Sequence, residues 1–79
     1  MAHPKTVKEW SEKAARHIKA QLKRHDVTYE ELASRLEKHG FKETKASIAN
    51  KLARATVPAA FFLATLAALE LEGFRLEDL

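Results

Sequence analysis

Lys45, Ser47, Asn50, Lys51 and Arg54 fall within ten residues of one another, and their side chains suit one kind of chemistry, contact with a polyanion that also carries hydrogen-bonding edges. The Asn50 amide donates and accepts at once, as bidentate pairing with an adenine edge requires. Lys45 suits a guanine edge or a phosphate, and the Ser47 hydroxyl suits either base or backbone. Lys51 and Arg54, one or two turns further on, suit phosphates. Thr28 and Tyr29 open the preceding segment, where the free N–H groups and positive dipole end of a helix attract a further phosphate. Lys45, Ser47 and Asn50 are therefore the candidate base contacts, and Thr28, Tyr29, Lys51 and Arg54 the candidate phosphate contacts.

Other chemistries find little to work with. No cysteine is present, which excludes disulfides and thiolate-bound zinc. His3, His17, His25 and His39 lack the i, i+4 pairing of a metal-binding helix face and are expected on the solvated surface. Glu9 with Glu12, and Glu30 with Glu31, fall in first helical turns, where carboxylates complement the dipole without any catalytic role. No paired nucleophile and base, phosphate loop or cofactor signature occurs, so the expectation is a non-enzyme with no cofactor and no metal.

Four helices are needed to hold the polar set in place. Thr6-Val7-Lys8-Glu9 and Thr28-Tyr29-Glu30-Glu31 both read as capping boxes, starting a first helix over about residues 6–25 and a second over 28–39. Trp10, Ala14, Ile18 and Leu22 recur every fourth residue as the buried stripe of the first, and Leu32, Ala33 and Leu36 line the second. Gly40 suits the left-handed residue that ends the second helix, Phe41 anchors the turn, and Thr44 caps a third helix over 44–54. If Ile48, Ala49 and Leu52 face inward, helical spacing turns the polar set outward or to the flanks. Pro58 suits the first position of a fourth helix over 58–71, with Phe62, Leu63, Leu66 and Leu69 as its core. The tail, 72–79, alternates around Phe74 and Leu76 and reads as a short strand, with a last helical turn as the alternative.

Charge is divided along the chain. Residues 1–54 hold 13 Lys/Arg against 7 Asp/Glu, whereas residues 55–79 hold Arg75 against four acids, so a polyanion would meet the first two thirds. Lys13, Arg16, Lys19, Lys23 and Arg24 cover the outer surface of the first helix, which is either simply solvated or a phosphate contact. Adhesion to an anionic membrane is disfavoured, because the apolar stripe beneath is needed for the core. The apolar run Val57 to Leu69 spans 13 residues, too short to cross a membrane, and Trp10, Phe61 and Phe62 follow helical apolar patterns that mark them as core rather than base-stacking platforms. The N-terminus shows no apolar signal core, which points to the cytoplasm and, with DNA as partner, the nucleoid.

Val27-Thr28, Glu31-Leu32-Ala33, Ile48, Pro58 and Leu66 fall in the order shown by lambda-repressor-like (Cro/XRE) helix-turn-helix domains, which this chain resembles over roughly residues 10–71. There a T-x-E-E-L-A helix precedes a recognition helix with a buried Ile, and a Pro-led helix closes the core. The interval from Ala33 to Ile48 is about five residues longer than that pattern usually allows, which implies a longer second helix or a larger turn and shifts the register of base contacts. The whole chain, from VKEWSEKAARHIKAQLKRHDVTYEELASRL to AAFFLATLAAL, looks closer to a bacterial family of short uncharacterised proteins, which implies a stand-alone helix-turn-helix protein.

These features lead to one expectation: an all-α, compact four-helix domain with a helix-turn-helix, acting as a dimeric double-stranded DNA-binding transcriptional regulator or chromosome-associated protein. At 79 residues the core is small, and Leu71, Phe74, Leu76 and Leu79 exceed what one chain covers, so they are the expected homodimer interface. Two other readings compete: a protein-interaction module, such as an antitoxin or adaptor, using the fourth helix and acidic tail, and an RNA-binding protein.

Overall fold

The computed structural model describes residues 3–71 and 73–79, and every regular element among them is helical. Helix α1 spans Val7–Arg24, α2 Tyr29–Glu37, α3 Lys45–Ala53 and α4 Ala59–Ala68, followed by a single 3₁₀ turn at Leu76–Asp78. The tail is therefore the helical-turn alternative and not the strand. Asp78 reaches back with its carboxylate to the Arg75 N–H at 3.0 Å, which closes the turn locally where a strand would have needed a partner. Glu72, within that tail, lies outside the described residues.

Helices α1 and α2 each pack against both α3 and α4. Ile18 from α1, Leu32 and Leu36 from α2, Ile48 and Leu52 from α3 and Phe61 from α4 are all but inaccessible and form the centre of the core. Among the described residues, no helix is long and apolar enough to cross a membrane.

Two buried faces differ from the sequence pattern. In α1 the inward side is Ala15, Ile18 and Leu22, while Trp10 is 38% exposed and stacks on His3 with ring centroids 5.9 Å apart. A strict four-residue spacing drifts by about 40° per step around a 3.6-residue helix, so two steps before Ile18 the stripe has left the core. In α4 the buried residues are Phe61, Thr65, Leu66 and Ala68, with Leu69 at the cap; Phe62 is half-buried and Leu63 is 62% exposed. AAFFLATLAA is apolar all round, so its periodicity selects no face and its neighbours do.

Each start uses the threonine or proline that the sequence marks, and Thr44 caps α3 as expected, but the roles at Thr6, Thr28 and Pro58 differ from those expected. The Thr6 hydroxyl accepts from the Glu9 N–H and donates to the Glu9 carboxylate, and Thr28 accepts from the Glu31 N–H while the Glu31 carboxylate turns to Arg35. Neither is the reciprocal box expected. That box forms at α3, between Thr44 and Ser47. Pro58 is the extended cap residue before α4 rather than its first helical residue, and its carbonyl accepts from the Phe62 N–H.

All four helices end the same way. Asp26, Gly40, Ala55 and Glu70 have φ of 54°, 85°, 54° and 61°. In each case that residue's N–H bonds to the carbonyl three back, and the next residue's N–H to the carbonyl five back, as in Phe41 N–H to Leu36 O at 3.1 Å. This is the left-handed stop that satisfies a helix's last carbonyls. Gly40 occupies it without strain, as expected; the other three carry side chains in a conformation that favours glycine.

Candidate nucleic-acid interface

The segment from α2 to α3 positions the polar set. Helix α2 ends at Glu37, and the connection to Lys45 takes residues 38–44. The extra length between Ala33 and Ile48 therefore lies in the turn and not in a longer α2. It is held by Gly40, by Phe41, which packs edge-on to Phe61 at 6.5 Å, and by Glu43.

Helix α3 buries Ile48 and Leu52, half-buries Ala49, and leaves Lys45, Ala46, Asn50 and Ala53 to solvent, with Arg54 exposed at its cap. Asn50 and Arg54 thus lie on the outer side of α3, about one turn apart, whereas Lys45, which at 3.6 residues per turn is about 140° round the helix from Asn50, projects from the first turn beside α2. No carboxylate lies on α3. The Lys45 ammonium is 3.6 Å from the Glu30 carboxylate of α2, with both side chains mostly exposed, so this pair is weak and solvent-screened. That contact also sets the start of α2 beside the start of α3.

Ser47 and Lys51, by contrast, are used within the fold. The Ser47 hydroxyl accepts from the Thr44 N–H at 2.8 Å and lies 2.7 Å from the Glu43 carboxylate, to which it donates. The Lys51 ammonium donates to both Glu43 oxygens at 2.9 and 3.1 Å and sits 5.6 Å from the centroid of the Phe61 ring. With the Glu43 and Lys51 side chains only 10% and 28% exposed, these groups form a clamp between the turn, α3 and α4. Burial pushes the Glu43 carboxyl up, but the hydrogen bonds from Ser47 and Lys51 and the Lys51 charge outweigh it, and the net pKa lies below the usual glutamate value.

At the start of α2, the Thr28 hydroxyl already serves the Glu31 N–H, Tyr29 is half-buried against the core, and Glu30 and Glu31 occupy the first turn. A phosphate there would meet two carboxylates as well as the free amides.

A family profile described as "Domain of unknown function (DUF6471)" matches residues 10–74. The chain belongs to that family. The matched span of this DUF6471 domain contains nearly all of α1, the whole of α2 to α4 and the 38–44 connection. No curated protein and no solved structure matches the chain.

Two features of the domain were missed by sequence reasoning. Glu43 is the hub of the clamp, and the only signal for it was its place four and eight residues before Ser47 and Lys51. His17 is 6% exposed rather than solvated, with its Nε2 unpartnered, and packs against both Phe62 and Phe74, with ring centroids 6.1 and 5.6 Å away. It adjoins Ile18 on the edge of the buried face, and Phe74 folds back onto it. Phe74 also meets Phe62 edge-on at 5.2 Å, so the tail's largest apolar side chain is partly covered by its own chain. Leu76 is 55% exposed, and Leu71 and Leu79 are half-buried. Among the described residues, no three His, Asp or Glu side chains gather as a metal would require.

Proposed function

We propose that this domain binds double-stranded DNA by placing α3 in the major groove, as a homodimeric transcriptional regulator or chromosome-associated protein of the nucleoid. The observation that carries the reading is the outer face of α3, where Asn50 and Arg54 stand beside Ala46 and Ala53 with no acid among them, while Lys45 projects from the start of the helix. Alanines keep the helix narrow enough to enter a groove about 12 Å wide, and the polar residues supply donors once inside. The sequence resemblance to lambda-repressor-like (Cro/XRE) domains supports the same use of this helix, with the seven-residue connection as a departure from the usual short turn.

In this reading Asn50 pairs with a base, Lys45 with a guanine edge or phosphate, and Arg54 with a phosphate. Ser47 and Lys51 are left out, because their polar atoms are committed to Glu43. Thr28 and Tyr29 contribute backbone amides at most, opposed by Glu30 and Glu31. The dimer face is assigned to Leu63, Leu71 and Phe74, which share a notch of about 320 Å³ on α4 and the tail, with Leu76 and Leu79 beyond them. With extents of 35 × 24 × 20 Å, two copies set side by side can present their α3 helices about one DNA turn apart, roughly 34 Å.

The same apolar notch favours a second reading, a protein-interaction module that uses α4 and the tail. Charge separates the two: Lys45→Glu with Arg54→Glu abolishes retention on immobilised duplex if α3 binds DNA. Asn50→Ala lowers affinity for a selected site by about 1–3 kcal/mol while leaving random duplex nearly unaffected. A protein captured through α4, together with no duplex binding at low salt, would favour the interaction module; retention on single-stranded or hairpin RNA alone would favour an RNA partner.

A further inference from the structure

Helix α1 and the C-terminal end of α3 enclose a concavity of about 610 Å³. Its walls carry Lys8, Arg16 and Lys19 from α1 and Arg54 from α3, and its floor is made small by Ala15 and Ala55. Glu12 is the one acid lining it. Among the described residues none of the four cations makes an ion pair, whereas Arg35, Lys45, Lys51 and Arg75 each have a carboxylate within 4.0 Å. Four of the ten Lys/Arg side chains without an ion pair among the described residues therefore meet around one concavity, whereas Lys45 at the start of α3 is paired with Glu30.

A helix C-terminus would ordinarily repel a phosphate, but the last carbonyls of α3 are occupied. Asn50, Leu52 and Lys51 accept from the N–H groups of Arg54, Ala55 and Thr56 at 3.0, 3.3 and 2.9 Å. Arg54 and Ala53 belong both to this concavity and to the exposed side of α3, so the two surfaces are continuous.

We propose that this concavity is the principal seat of the DNA backbone, holding phosphates of the strand that flanks the groove entered by α3, with Arg16 and Lys19 as the main contacts and Arg54 as the hinge between backbone and base contacts. The inference rests on the DNA-binding reading and adds α1 to the footprint. It also assigns the phosphate contacts to residues other than Lys51, Thr28 and Tyr29.

The test is a fluorescence-polarisation titration of a labelled random duplex over a range of salt, with wild type, Arg16→Gln/Lys19→Gln, and Arg24→Gln/Lys38→Gln as a charge-matched control. Arg24 and Lys38 are exposed and line other surface hollows. Loss of two phosphate contacts flattens the log–log salt slope by about 1.8, which between 1 M and 0.1 M salt is about 60-fold in affinity. That change is expected for Arg16→Gln/Lys19→Gln and not for the control, with unchanged melting temperatures. Equal effects in both double variants, or none in either, would overturn the concavity as the backbone seat while leaving α3 as a DNA reader. No binding by the wild type at low salt would overturn the DNA-binding reading itself.

Discussion

Replacing Glu43 tests whether the turn before α3 holds that helix in place. The carboxylate takes a hydrogen bond from Ser47 at 2.7 Å and two from Lys51 at 2.9 and 3.1 Å, with the Lys51 ammonium also against the Phe61 ring. Exposed pairs contribute about 0.2–1 kcal/mol, and breaking a fully buried pair costs about 3–5. At 10% and 28% exposure this pair lies between those limits, so Glu43→Gln is expected to cost about 1–2 kcal/mol. For a domain of this size that lowers the melting temperature by roughly 5–15 °C. Thermal unfolding followed by far-ultraviolet circular dichroism at pH 7 reads the loss directly. A double-mutant cycle with Lys51→Met isolates the pair, with a coupling of about 1–2 kcal/mol expected.

The pH dependence has a definite sign. Because the folded pKa of Glu43 is lowered, the unfolded chain binds more protons as pH falls through the acid range. The stabilisation is fully present above the ordinary glutamate value, about 4.3, and is lost as pH drops through the lower folded value. The gap between wild type and Glu43→Gln should therefore be constant from pH 6 to 8 and close in acid. A loss under about 0.5 kcal/mol at pH 7, or a gap that widens in acid, would refute the clamp.

Three further outcomes follow from particular residues. Ala55→Gly relieves a left-handed non-glycine residue at the end of α3 and is expected to raise stability by about 0.5–1 kcal/mol in urea unfolding; a loss would contradict the strain. Thr65→Val removes a fully buried hydroxyl with no partner, and a gain of about 1 kcal/mol by the same measurement is expected, with destabilisation contradicting it. Leu63→Lys with Leu76→Lys should convert a species of twice the 8.9 kDa chain mass into monomer in sedimentation equilibrium; a wild type that sediments as monomer at high concentration would remove the dimer.

Local signals carried the helices and missed several of their faces. Thr6, Thr28 and Thr44 marked three starts and Gly40 one stop, because capping is decided within four residues. The stops at Asp26, Ala55 and Glu70 gave weaker signals, since none is glycine and the conformation is imposed by the bonds around it. Helix α4 concealed its register because every side was apolar, and α1 misled by one position because its strict repeat does not match a helical turn. On α3, the outward turn of Asn50 and Arg54 followed from the inward turn of Ile48 and Leu52, whereas Lys45 is exposed because it stands in the first turn. The diversion of Ser47 and Lys51 did not, because it depends on Glu43 and Phe61, which a periodicity argument along α3 cannot bring into contact. The unpaired cations of α1 became notable only once α3 was set against them.

The most direct test of DNA reading by α3 is a titration of unlabelled duplex into ¹⁵N-labelled protein at low salt, followed by amide chemical shifts. Perturbations are expected along residues 45–54 and on the α1 side bearing Arg16 and Lys19, fading as salt is raised, with α4 and the tail little changed by DNA. Shifts confined to α4 and residues 73–79, or none at all, would contradict it.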